Sequence, residues 1–296
     1  MSRLLLSLAV FFSLAAPDDP LEDTRRAFVE RINAIRVPAG VTPLRLSAPL
    51  SSAAQKRADE IAAGGDIHAS SAREDSRRAA EGGYEPRLVS EFAARADGDV
   101  ESVVSAWRQD EGVPARELVG ADYREIGVGA SFAETPLYVV LLALSWDDFF
   151  REKTAPFADL ERVRRDMLVR VNRERVGRGL APLRRHPRLD DAAQAHARDM
   201  FARRYYSHDT LEGKSAMDRI QAVGYRARYA GENIARGQYS VDEVMNGWME
   251  SKTHRDHLLS PIFDDFGFGL AFGKNPGGHE ILWVQNFGRP KGRERL

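Results

Sequence analysis

The spacing of apolar positions changes once along the second half of this chain, near Phe263. Before it the period is helical. Over residues 161–176, Met167, Val171 and Arg175 recur at helical spacing, and Gly177 and Gly179 terminate the run. Residues 189–204, "LDDAAQAHARDMFARR", predict a second helix with acids in its first turn. Residues 215–223 predict a third, closed by Gly224. Residues 241–251 predict a fourth, opened by Ser240 with Glu243 three positions on, the sequence pattern of a capping box. After Phe263 the segments "FGFGLAF" and "EILWVQNF" alternate like strands, joined by the turn-rich "GKNPGGH". Helices followed by an antiparallel hairpin predict an α+β domain with helices packed on a sheet.

The same pattern is written twice. Residues 28–68 parallel residues 168–208: Asn33 falls under Asn172, Pro43-Leu44 under Pro182-Leu183, and Ala53-Ala54-Gln55 under Ala192-Ala193-Gln194. Further on, Tyr84 matches Tyr225, Glu91 matches Glu232 and Trp107 matches Trp248, each at an offset of 141. Chance similarity between alanine-rich helices would not hold one offset across Tyr, Glu and Trp. Two tandem domains are therefore expected, at about 21–150 and 156–290, with a joint in "DDFFREKTAPF". A unit this long is a duplicated domain and not a solenoid repeat.

Composition narrows the class. With 296 residues, 43% hydrophobic, 29% charged and a formal net charge of −1, the chain is no general nucleic-acid binder. Between Arg162 and Arg188 ten arginines stand against Asp166 and Glu174. A solvated helix face is the favoured reading of that run, and attraction to an anionic envelope surface is the alternative. Cysteine is absent, which excludes disulfides, thiol catalysis and thiolate metal sites. The start "MSRLLLSLAVFFSLAAPDDP" reads as a signal peptide over residues 1–16: a basic residue, an apolar run too short to span a bilayer, then small residues. The expected location is secreted or periplasmic, with no transmembrane segment in the mature chain.

The motifs "YSHDT", "GENIA", "GWMESKTHRDHLL" and "DDFGFGLAF", in this order, resemble the bacterial branch of the CAP superfamily of cysteine-rich secretory, antigen 5 and pathogenesis-related 1 proteins. The resemblance covers nearly all of the second domain and reaches the first only through the repeat, so the first is expected to be a degenerate copy. It implies an α-β-α sandwich and a cleft of two histidines and two acids. Carried over, His208 and His254 are the histidines and Glu232 is the "GEN" glutamate. The second acid falls on Ser251, with Glu250 one position early, about 100° away on a helix. His257 is given a supporting or surface role.

Two imidazoles and a carboxylate suit a divalent cation, zinc above all, and three protein ligands would leave a position open for water. The expected metal set is thus His208, Glu232 and His254, with Glu250, Ser251 and His257 in the cleft. Glu232 could equally be a buried acceptor that fixes loop amides and histidine tautomers. A Ser251–His254 nucleophile pair is disfavoured. The first copy keeps His68 and Glu91, with Asp110 three residues after Trp107. At the place of His254 it has Val113, followed by Pro114, which disfavours a regular helix. His186 and His196 read as surface or helix residues, and His279 as outside the site.

The expected function is a secreted CAP-domain protein whose second copy binds a divalent metal or small ligand without turnover. The alternatives are a metal-dependent hydrolase of the envelope and an adhesion module with a vestigial cleft. The expected partner is a small molecule, a lipid or a cell-envelope component.

Overall fold

The computed structural model describes residues 19–292 except 97, 111 and 112, and leaves out the side chain of Val113. The signal peptide read at residues 1–16 lies outside the described residues. The chain divides into two compact units, the first ending at Asp148 and the second beginning at Phe149.

Each unit uses the same elements in the same order. In the first they are α1 (Pro20–Arg36), β1 (Arg45–Leu46), α2 (Ala48–Ala62), α3 (Ala72–Glu81), β2 (Pro86–Arg95), α4 (Val100–Gln109), α5 (Val113–Leu118), β3 (Glu125–Ser131) and β4 (Leu137–Ser145). Helix α6 (Trp146–Thr154) and a 3-10 turn (Ala155–Ala158) follow. The second unit then runs α7 (Leu160–Val176), β5 (Arg184–Arg185), α8 (Pro187–Arg203), α9 (Ala216–Ala222), β6 (Ala227–Arg236), α10 (Val241–Glu250), α11 (Lys252–Leu258), β7 (Asp265–Asn275) and β8 (Gly278–Pro290). The sheets have equivalent orders, β1-β3-β4-β2 and β5-β7-β8-β6. In each, a two-residue parallel strand flanks an antiparallel hairpin, and the strand after the third helix occupies the other edge.

Alternation along the strands builds three layers. In the second unit Phe266, Phe268, Leu270, Ile281, Trp283 and Phe287 pack with Val163, Met167, Val171, Val244 and Trp248 of α7 and α10. From the opposite face Leu282 and Val284 meet Ala193, Ala197 and Met200 of α8. The β7 positions on that face are Gly267 and Gly269, and a Cβ at either would run into the α8 backbone at Leu189 and Ala193. Gly127 and Gly129 stand in the same relation to α2 at Leu50 and Ala54. In both copies glycine is what lets the helix lie against the sheet.

Repeated polar contacts confirm the residue pairing. Asn33 exchanges hydrogen bonds with the backbone of Leu44 at 2.9 and 2.7 Å, and Asn172 with Leu183 at 2.9 and 2.8 Å. Buried Arg36 donates to Leu118 O and Gly120 O, and buried Arg175 to Leu258 O and Ser260 O. These carbonyls end α5 and α11, so each guanidinium caps a short helix from inside the core.

Several local expectations change. The segment 147–157, read as a joint, contains the division between the two units, but it is built as helix α6 and the 3-10 turn, and its Phe157 meets Trp283 edge-on at 5.2 Å. Helix α5 forms despite Pro114, which sits in the first turn where its missing N–H is not needed. The box at α10 is half closed: Ser240 accepts from Glu243 N, while Glu243 accepts from Tyr239 N. The reciprocal box is found at α9, between Ser215 and Asp218. The arginine run is largely spent on internal pairs. Arg164 and Arg185 meet Glu161 and Asp190, Arg170 and Arg178 meet Glu174, and Arg184 meets Asp265. Among the described residues no helix is long and apolar enough to cross a membrane.

Candidate functional site

The site begins with two adjacent residues on edge strand β6. Successive side chains of a strand point to opposite faces, so Glu232 and Asn233 serve different layers. Glu232 is buried on the α8 side, and Asn233 is fully buried on the α11 side.

Glu232 is held at both oxygens. Oε1 is 2.9 Å from His208 Nδ1, and Oε2 accepts from Arg219 Nη2 at 2.5 Å. Asn286 lies directly across the ladder, and with its amide turned to the orientation that satisfies both ends it donates to Oε2 at 3.2 Å and accepts from Ala193 N at 3.1 Å. Arg219, on α9, also donates to His208 O at 2.7 Å and Lys214 O at 2.9 Å. One guanidinium therefore fixes both the carboxylate and the loop that carries the histidine. The His208 side chain stays half exposed while Glu232 is buried beneath it. The bond to Glu232 raises the His208 pKa, outweighing the effect of burial.

Asn233 organises the other side. Its Nδ2 donates to His254 O at 3.1 Å, and its Oδ1 is 2.9 Å from His257 Nδ1. Both histidines ride on α11, which starts afresh after Ser251 takes an extended conformation with ψ of 121°. The 241–251 helix thus ends before His254, and helical phase cannot be carried from Glu250 across Ser251. Burial, together with the neighbouring His208 and His257, lowers the His254 pKa. Burial also lowers that of His257.

The structure brings only some of the predicted residues together. His208 and Glu232 are bonded, and His254 and His257 approach through Asn233 on the neighbouring helix. Ser251 is the N-cap residue of α11 but makes no side-chain cap bond. No hydrogen bond among the described residues joins it to His254. Glu250 lines a cavity of about 550 Å³ with Arg170, Arg178, Met249, Arg255 and Leu259, on the α7 side of α10. His279 packs its ring on Phe150 at 4.7 Å.

Two positions around Glu232 escaped the sequence reading. Arg219 was legible through the repeat, because Arg78 stands 141 residues earlier. His196 was expected on a surface or plain helix face but is 1% exposed. Its Nε2 bonds to Ser207 O at 3.0 Å and lies 3.9 Å from Glu232 Oε1. His186, expected at the surface or on a helix, is buried at the N-cap of α8, where Nδ1 accepts from Arg188 N.

The first copy closes its carboxylate differently. Glu91 Oε1 accepts from Arg57 Nε at 2.9 Å and Oε2 from Arg78 Nη1 at 3.0 Å. His68 is exposed, its backbone N–H held by Asp66, and Asp110 ends α4 as an exposed residue. Burial raises the Glu91 pKa even between two arginines.

Among the described residues no three His, Cys, Asp or Glu side chains are grouped so as to hold a metal ion. Glu232 has both oxygens committed, so the three-ligand set of His208, Glu232 and His254 does not fit as a cation site. What remains is a pair of imidazoles, one tied to a carboxylate at Nδ1 and one without a ring hydrogen bond among the described residues.

Comparison with known proteins places these features. The model of the cysteine-rich secretory protein family, CAP, matches residues 29–143 and 168–287. The chain is similar to the uncharacterized protein YkwD of Bacillus subtilis (strain 168), at 34% identity over 117 residues, 40% of this chain and 43% of that protein. It is also similar to the uncharacterized membrane protein YlbC of the same strain, at 32% over 96 residues, 32% of this chain and 28% of that protein. The chain thus spans less than half the length of these relatives. Among solved structures it is similar to an extracellular SCP-domain protein of Bacillus anthracis, at 24% identity, 52% coverage of each chain and a TM-score of 0.40.

Proposed function

This chain belongs to the CAP family of cysteine-rich secretory proteins, and on that footing we propose that its second copy carries a non-enzymatic binding cleft for a small ligand between His208 and His254. The observation that carries this reading is the bond from Glu232 to His208 Nδ1. It holds one imidazole toward the cationic form while His254 is kept neutral by burial. A cationic donor beside a neutral imidazole suits a ligand that presents a carboxylate or similar acceptor. Nothing in the arrangement supplies a nucleophile: Ser251 is unbonded to His254, and Glu232 is occupied at both oxygens. The first copy is a structural partner in this reading, its carboxylate closed by Arg57 and Arg78.

Acetate, the simplest carboxylate, is the probe. Added to 15N-histidine-labelled protein, it is expected to move the ring signals of His208 and His254 and leave His68 in place. Unmoved signals for His208 and His254 would sink the ligand reading. Turnover of a peptide or ester library that disappears in Glu232→Gln would replace it with the hydrolase.

A divalent cation is the second reading, favoured by the same Nδ1 bond. A carboxylate on one ring nitrogen is how proteins commonly orient a metal-ligating histidine by the other. His208 and His254 would hold the ion, Glu232 would orient and not ligate, and the ion would supply Lewis acidity. A cation must displace a proton from His208, so zinc uptake measured by calorimetry is expected to rise with pH and to fall in His254→Ala. We also take the chain to be exported, supported by the apolar start of the sequence. N-terminal sequencing of the mature protein tests this, with a start after residue 15 or 16 expected.

A further inference from the structure

We infer that residue 196, buried beneath the loop of His208, decides whether the edge-strand carboxylate holds a histidine, and that Arg57 at the equivalent position is what disengages the first copy. The inference deepens the binding reading, because it names what leaves Glu232 open to His208. It rests on the geometry of that pair and not on any ligand.

The two positions are equivalent. Arg57 and His196 are 139 apart, the offset that relates Gln55 to Gln194. Those glutamines make the same two bonds, to the backbone of Ala130 in the first copy and of Leu270 in the second. The second partner of each carboxylate is also shared, since Arg78 and Arg219 both donate to Oε2. The copies differ at Oε1. In the first it accepts from Arg57 Nε at 2.9 Å, and in the second His208 Nδ1 is at 2.9 Å.

Donor counting explains the difference. A guanidinium carries five N–H groups, and a neutral imidazole carries one. Arg57 serves two customers at once: Nη2 donates to the loop carbonyls of Asp66 and Ala69 at 2.9 and 3.0 Å, and Nε takes the carboxylate. His196 has a single N–H to give. Its Nε2 meets the loop at Ser207 O, 3.0 Å away, and remains 3.9 Å from Glu232 Oε1. Its Nδ1 is buried with no partner among the described residues. Burial disfavours the charged form that would add a second donor. The free oxygen then falls to His208. In the first copy the Arg57 guanidinium takes the Oε1 place that His208 holds in the second, and His68 is left exposed. His196 is thus a positioning residue. It anchors the loop while leaving the carboxylate alone.

The test uses the full chain, selectively labelled with 15N-histidine and free of added metal or ligand. The readout is the Nδ1-bound proton of His208, which exchanges slowly only while Glu232 holds it. His196→Gln keeps a donor for Ser207 O without a guanidinium fork and is expected to retain the signal. His196→Arg is expected to lose it while the near-UV spectrum stays native. Retention of the signal in a folded His196→Arg protein overturns the inference. Should that variant fail to fold, Arg57→His decides: a new protected ring proton on His68 supports the inference, and a His68 unchanged from the parent overturns it. Loss of acetate or zinc binding in the unmodified chain would defeat the binding reading without touching these outcomes.

Discussion

Glu91 and Glu232 occupy the same place in two copies of one fold, both buried, both held at two oxygens. One faces two guanidiniums and the other a guanidinium and an imidazole. The first arrangement is closed: every donor comes from a permanent cation with no open side. The second has a half-exposed, titratable group as one of its partners. A buried ion cluster gives little net stability over an apolar core, but it is costly to break in half. On the proposed reading, the first copy keeps the carboxylate as structure, and the second presents it to a ligand through His208.

The largest effect should come from breaking the closed cluster. Arg57→Ala leaves Glu91 with one partner, and the cost is expected at roughly 3–5 kcal/mol, read as chemical denaturation of the first unit. His196→Ala removes one hydrogen bond to Ser207 O and leaves both Glu232 partners in place, so about 1–2 kcal/mol is expected. Equal losses would erase the comparison.

Next in size is a change that should not distinguish the copies. Gly129→Ala and Gly269→Ala each push a methyl into the helix backbone, and overpacking of about 1–3 kcal/mol is expected for both. Thermal unfolding of the two variants checks this. A difference of several kcal/mol between them would mean that the helix and sheet of the two units do not approach alike.

The pH dependence should also separate the units. His196, His254 and His257 have folded pKa values below the ordinary 6.5. Their contribution is full above that value and is lost as pH falls through the folded values. His208 is raised, so its contribution is full below 6.5 and is lost as pH rises through its folded value. Below 6.5 the contribution of His208 is already full, so further acidification draws on the three lowered histidines and weakens the second unit. In the first, the raised Glu91 pKa acts oppositely, adding stability as pH falls through it. Hydrogen exchange resolved by unit, at neutral and mildly acidic pH, follows both. Weakening confined to the first unit would reverse the assignment.

The smallest effect is expected at Ser251. Its side chain makes no cap bond, so Ser251→Ala should change unfolding by no more than about 0.5 kcal/mol.

Most of the fold was legible because the duplication repeats its constraints. Asn33 and Asn172, the glutamine pair and the Trp107–Trp248 offset each mark a position where backbone or core demands one side chain twice. The "GEN" glutamate was legible as a buried acceptor or a ligand, and strand alternation alone could not say which layer it faces. The end of the helix at Ser251 was legible to within a residue, but the short helix α11 that restarts there was not, because seven residues are too few to show a helical period of their own. His196 was hidden by its setting, since an alanine-rich helix gives no hint that one face lies under a loop. The informative sign was Arg57 opposite His196, a substitution that swaps one donor for five.

The most direct measurement is the histidine titration of the full 15N-labelled chain, with and without Glu232→Gln. His208 is expected to titrate above 6.5 and His254 below it, with His208 returning toward its ordinary value once the carboxylate is neutralised. A His208 that titrates at or below 6.5 and ignores Glu232→Gln would contradict the pairing on which the second copy's role depends.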